Sequence, residues 1–251
     1  MFKECIDNIL VHYKICSLRN AASFLRTHQV FVNNERITCR NFLCDSFSDK
    51  ICVDKKILPP AKNIYLMMNK PCGVVCTTTS DNKTLIYDLL PQDLLNAENL
   101  GKLHTVGRLD YDTEGLIFLT TNGKFSNFIA SPQSNILKTY FVTLQNKVSS
   151  SQKQKYAQLL EEGIFLPAEN KSQAFTTKKA TLIWKSDTEC ELTIQEGKFH
   201  QVKRMFVALG NSVEKLKRIK IGNIELDKTL LPGEFRSLTS QEINSFIKTN
   251  V

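Results

Sequence analysis

An arginine and an aspartate two residues apart, Arg108 and Asp110, open the segment GRLDYDTEGLIFLTTNG between Gly107 and Gly123. Burial raises the pKa of a carboxyl group and a neighbouring cation lowers it, so a guanidinium fixed beside a carboxylate can keep it ionised in a partly dry cleft. Such an acid is ready to act as a nucleophile or as a base. The apolar run Leu116–Leu119, bounded by Gly115 and by Thr120–Gly123, reads as an interior strand just downstream of the pair. Residue type alone leaves a solvated loop as the commoner fate of an Arg-Leu-Asp.

Other residues suited to chemistry or to RNA cluster further along. Lys138 and Tyr140 lie two apart on a segment that alternates as a strand, so they share one face. From Lys198 to Lys220 there are seven basic residues (198, 203, 204, 215, 217, 218 and 220) against one acid, Glu214. They are interleaved with Phe199, His200 and Phe206, a composition suited to nucleic acid. The net charge of +8 favours polyanionic partners. Eight cysteines occur without a Cys-x-x-Cys pair, so buried free thiols are expected and no metal site is predicted.

The elements that must carry these residues read as α+β. Hydrophobic residues make up 42% of the 251, enough for a sizeable core. Strands are expected at Ile64–Met68, Tyr140–Leu144, Ala180–Trp184 and Cys190–Ile194, the last two as an antiparallel pair. Helices are expected at Leu85–Leu90, Phe125–Ser131, Ser151–Glu162 and Phe199–Leu209, with a capping box at Thr239–Glu242 starting the last one. Residues 1–58 form a separate small module. Ile6, Ile9, Leu10 and Tyr13 recur at helical spacing, and Ser17 is placed to cap a second helix bearing Arg19 and Arg26 on one face. Short strands at Val30–Val32 and Ile51–Val53 follow, with a turn at Asn33-Asn34, and Pro59-Pro60 starts a stiff linker over 59–63. No apolar run approaches the ~20 residues that span a bilayer. The first eight residues include Glu4 and Asp7 and lack the basic and apolar parts of a secretion signal, so a cytoplasmic location is expected.

Four segments, in order, resemble the signature of the pseudouridine synthases that act on ribosomal RNA, in particular the small-ribosomal-subunit type. They are Asn69–Thr77 (NKPCGVVCT), Gly107–Gly123, Lys138–Tyr140 (KTY) and Glu196–Asn211 (EGKFHQVKRMFVALGN). The resemblance implies a mixed, largely antiparallel central sheet crossed by a catalytic cleft over residues 64–251. It implies isomerisation of a uridine to pseudouridine in small-subunit ribosomal RNA by base flipping, with no cofactor and a monomeric enzyme. It also implies roles: Asp110 as the catalytic carboxylate, Tyr140 as the ring packed on uracil, and Lys203 as the cation beside Asp110. Arg108 would help displace the target nucleotide, while Lys138, His200, Gln201 and Arg204 would contact RNA. Residues 1–58 resemble, in part, the small RNA-binding domain shared by a small-subunit ribosomal protein and tyrosyl-tRNA synthetases, with Arg19 and Arg26 as candidate RNA contacts. A synthase for large-subunit RNA and a non-catalytic ribosome-assembly factor with the same fold stay open as alternatives.

Overall fold

A computed structural model describes residues 3–45, 49–59, 63–80, 82–96, 103–169 and 172–247. Most of the expected linker, residues 60–62, lies outside the described residues. The chain forms two compact units. The first takes the chain up to Tyr65, with Gln92–His104 and Thr120–Phe125; the second holds Leu66–Pro91, Thr105–Leu119 and Ser126 onward. The inclusion of Thr120–Phe125 in the first unit has a local cause. Thr120 Oγ1 donates to the Ile64 carbonyl at 2.7 Å, the Ile64 amide donates to Thr121 Oγ1 at 3.0 Å, and the Asn122 amide donates to the Tyr65 hydroxyl at 3.0 Å.

In the first unit the helical spacing of Ile6, Ile9 and Leu10 produces the helix Ile6–His12, whose apolar side packs with Leu25, Val30, Val32, Ile51 and Val53. The strands Glu35–Arg36, Val30–Val32, Ile51–Val53 and Lys56–Ile57 lie side by side in that order, all antiparallel. Asn33 and Asn34 take φ of 49° and 71°, the left-handed turn that asparagine tolerates. The second helix is Ala21–Thr27, and Ser17 does not cap it: Ser17 opens a turn through its carbonyl, and the Asn20 side chain makes no cap either. Arg19 therefore precedes the helix that carries Arg26, and both are exposed.

The second unit is built on a nine-stranded sheet. Its main strands are β1 (Tyr65–Lys70), β2 (Thr113–Thr120), β3 (Lys138–Leu144), β4 (Thr181–Trp184), β5 (Glu189–Ile194), β6 (Val213–Ile221) and β7 (Phe235–Ser237), in spatial order β4-β5-β3-β6-β2-β1-β7. Two short strands, His104–Thr105 and Ile224–Glu225, complete it. The pairs β4–β5, β5–β3, β3–β6 and β1–β7 are antiparallel, and β6–β2 is parallel. The fold is thus α+β with a largely antiparallel central sheet, as the resemblance implied. Four helices accompany it: α1 (Gly123–Ala130), α2 (Ser150–Glu162), α3 (Gln201–Ala208) and α4 (Ser240–Ile247). Ser149 and Gln152 form a capping box on α2, and Thr239 and Glu242 form the expected one on α4. Leu85–Leu90 is a single 3-10 turn, Ile86–Leu89, which the following Pro91 keeps from extending.

Two local features set the sheet's centre. Leu116, Ile117, Phe118 and Leu119 are fully buried, as a short continuous apolar run should be. Gly115 has φ of +98°, and a Cβ there would overlap the Arg218 carbonyl oxygen and sit 2.9 Å from the Arg218 nitrogen. Only glycine lets β2 approach β6 this closely.

Candidate active site

A cleft of about 450 Å³ opens in the second unit, within the range of small-ligand sites. Its walls come from the loop Gly107–Tyr111, from the sheet face carrying Lys138, Tyr140 and Arg218, and from the segment Gly197–Val202 leading into α3. Alternation along β3 buries Lys138, Tyr140, Val142 and Leu144 on one side, so the first two reach the cleft together.

Asp110 lies on the cleft wall with its side chain 32% exposed. Its loop is strapped from below. Lys70, at the end of β1, is fully buried, and its ammonium donates to the carbonyls of Pro71 (3.0 Å), Asp110 (3.1 Å) and Thr113 (2.8 Å). Burial pulls the Lys70 ammonium below the ordinary lysine range, partly opposed by Cys76, Cys72, Asp110 and Asp112. The Gly73 amide donates to the Tyr111 carbonyl at 2.8 Å.

Lys203 donates to Asp112 Oδ1 at 2.5 Å, two residues beyond the expected partner. Burial pushes the Asp112 carboxyl up, but the Lys203 hydrogen bond and charge outweigh it and hold the group below the usual carboxylate range. The group within ion-pair reach of Asp110 is His200, its Nε2 3.5 Å from Oδ1. The helix begins at Gln201, two residues later than expected, because His200 takes the left-handed conformation with φ of 47°. A non-glycine residue held there stores roughly 1–3 kcal/mol of strain, which the surrounding structure must impose. Phe199 stacks on the His200 ring, centroids 3.8 Å apart.

The remaining expected contacts divide. Arg108 is exposed at the cleft and has no hydrogen bond or ion pair among the described residues. Gln201 lines the cleft but is held internally, its amide donating to Glu196 Oε1 at 2.9 Å and its oxygen accepting from the Lys198 amide at 3.0 Å. Arg204 is held by protein groups. It is buried, turned about 100° around the helix from Lys203, and bonds to Glu169 (3.2 Å), Ser172 (3.2 Å) and the Pro167 carbonyl, so it braces protein rather than facing RNA. Arg19 and Arg26 belong to the first unit.

Arg218 was not anticipated. It is 3% exposed, stands directly opposite Tyr140 across the β3–β6 pair, and lines the cleft. In sequence it was one basic residue in a run, and charged runs usually mark a solvated face. The rim is aromatic and cationic: Tyr111 is 47% exposed with Lys83 over its ring at 4.6 Å, and Lys198 lies over the Phe175 ring at 3.6 Å. No helix among the described residues is long and apolar enough to cross a membrane.

Residues 64–208 match the RNA pseudouridylate synthase family. The chain is 46% identical over 204 residues to ribosomal small subunit pseudouridine synthase A of Pasteurella multocida, covering 81% of this chain and 82% of that protein. To the protein of the same name from Haemophilus influenzae it is 38% identical over 228 residues, covering 91% and 93%. A crystal structure of a pseudouridylate synthase is similar with a TM-score of 0.66 and 37% identity, over 97% of this chain and 99% of that one.

Proposed function

The chain belongs to the RNA pseudouridylate synthase family, and from that premise we propose that it converts a uridine of small-subunit ribosomal RNA to pseudouridine, with Asp110 as the catalytic carboxylate. The observation that carries this reading is the convergence of Asp110 and the Tyr140 side chain on one cleft. The reaction breaks the bond from ribose C1′ to uracil N1 and joins C1′ to C5. Atoms are neither gained nor lost, so it needs no redox cofactor or group donor.

The target base must first leave its stack, at a cost of a few kcal/mol. Arg108, exposed and unpartnered among the described residues, is suited to filling the space the nucleotide vacates. Tyr140 then holds the uracil face, an interaction of about 1–3 kcal/mol per base. Tyr111 and the Phe199–His200 stack offer similar faces to neighbouring bases. His200 is suited to orienting the Asp110 carboxylate. Lys203 takes a different partner from the one the resemblance implied, pairing with Asp112 at the exposed side of the loop that carries Asp110. Arg19 and Arg26 are further RNA contacts on a small RNA-binding domain. The protein acts in the cytoplasm as a monomer.

Incubating the purified protein with small-subunit ribosomal RNA and its assembly intermediates, then mapping pseudouridine in both ribosomal RNAs, tests the assignment. A site in the small-subunit RNA is expected. A site only in the large-subunit RNA would overturn the substrate, and no modification of any RNA would revive the assembly factor. Asp110→Asn should lose product formation while RNA affinity stays within about twofold, because the interaction removed is one made in the transition state.

A further inference from the structure

We infer that Lys138 and Arg218 form a cationic floor to the cleft that takes up the negative charge a uracil acquires as its glycosidic bond breaks; this rests on the synthase reading above. The two residues stand on neighbouring antiparallel strands around Tyr140, Lys138 two positions before it and Arg218 opposite it. They are 7% and 3% exposed, and both line the cleft. Neither has a carboxylate partner among the described residues. Arg218 spends Nε on the Leu116 carbonyl at 2.7 Å, and its Nη2 is buried without a partner. Lys138 makes one hydrogen bond, to the Ile136 carbonyl at 3.2 Å. Burial, and then the Arg218 charge, pull the Lys138 ammonium down to about 8.

Two unneutralised cations side by side under a sheet are costly, and buried charge is ordinarily paired. A structural role would be served by a carboxylate paired with one of them, and neither is so paired among the described residues. A phosphate is served at the rim, where Arg108 and Lys198 are exposed. At the floor the neighbouring side chain is the ring expected to hold uracil, so the uracil is the group these cations meet.

The chemistry supplies the charge. When C1′–N1 breaks, its electron pair passes to N1 and the conjugated O2. When C5 joins C1′, the C5 proton is released as N1 regains one, and the balance closes. If the carboxylate instead adds at C6, the charge appears on O4. In each route the bound base is neutral and the reacting base is anionic. Cations fixed beneath it therefore favour the transition state over the ground state, which is the condition for raising a rate.

The test uses the full-length protein and a small-subunit RNA that the wild type modifies. Lys138→Met should lower the single-turnover rate at saturating RNA by about 10²–10³-fold, the loss typical of removing one such donor, with RNA affinity nearly unchanged. Lys138→Arg, which keeps the charge, should retain most of the rate. Arg218→Lys is the companion variant, its fold checked by thermal melting. A second readout needs no turnover: wild type should bind 5-nitrouracil, anionic at neutral pH, more tightly than neutral uracil, and Lys138→Met should lose that preference. A wild-type rate surviving in Lys138→Met overturns the inference. So does a loss confined to RNA affinity, or Lys138-dependent binding of inorganic phosphate in place of the anionic base. An inactive wild type would instead fail the synthase reading itself.

Discussion

A cation held against its own stability should betray itself when it is removed, and Lys138→Met is expected to make the protein more stable. The Lys138 ammonium drops from 10.5 to about 8 in the folded chain, chiefly through burial and then through Arg218. At about 1.4 kcal/mol per unit, this withholds roughly 3 kcal/mol of stability while the group stays charged in both states. Methionine keeps the buried stem and forfeits only the bond to the Ile136 carbonyl, worth about 1 kcal/mol. A net gain of about 2 kcal/mol follows, or about 4–8 °C in Tm for a domain of this size. The pH dependence carries the sign. Below pH 8 both folded and unfolded wild type hold the proton, and the penalty is complete. Between 8 and 10.5 the folded state has released it while the unfolded state retains it, so wild-type stability rises with pH and the variant's advantage shrinks. The other ionisable groups on the cleft wall, Cys76, Arg108, Asp110, Tyr111, Tyr140, Lys198, His200 and Arg218, are common to both proteins and drop out of the comparison. Urea unfolding of both proteins at pH 7, 8.5 and 10 measures this. A variant less stable than wild type, or a difference flat across that range, would refute the reasoning.

Gly115→Ala should cost about 3 kcal/mol or more, since the added methyl meets Arg218 backbone at a φ of +98°; chemical denaturation measures it. Lys70→Met removes a buried donor shared by three carbonyls, of which that of Asp110 keeps the Thr113 amide, and should destabilise by about 3–5 kcal/mol, with turnover falling in the fraction that stays folded. Asp112→Asn breaks a pair whose acid is 62% exposed, so stability should change by less than about 1 kcal/mol in a melting experiment.

Local signals carried much of the fold. The alternation of Lys138–Leu144, the turn between β4 and β5, and the capping box before α4 each lie within a few residues of one another, and each element formed where its pattern stood. What was hidden depends on contacts between distant segments. β6 reads as VEKLKRIKI, and its charges mask an alternation that buries Leu216 and Arg218 at the centre of the sheet. No rule of burial by residue type puts an arginine there; the β3 and β2 neighbours do. Lys70 was invisible for the same reason, since its three acceptors include residues 40 and 43 positions away. The Asp110 cleft was legible from residue resemblance, but the side chain that meets its carboxylate was not. A helix that starts two residues later turns each following side chain, and the backbone twist at His200 that delays it has no residue-type signature.

Lys70 and Gly73 hold the segment from Asp110 to Thr113 through oxygens that every amino acid supplies. Such a grip is blind to what projects from the segment. Tyr111 and Asp112 can therefore be exchanged without moving the carboxylate beside them. Choice of target and power to isomerise become separable properties, and drift at two exposed positions could redirect an enzyme of this kind while its reaction centre stays intact.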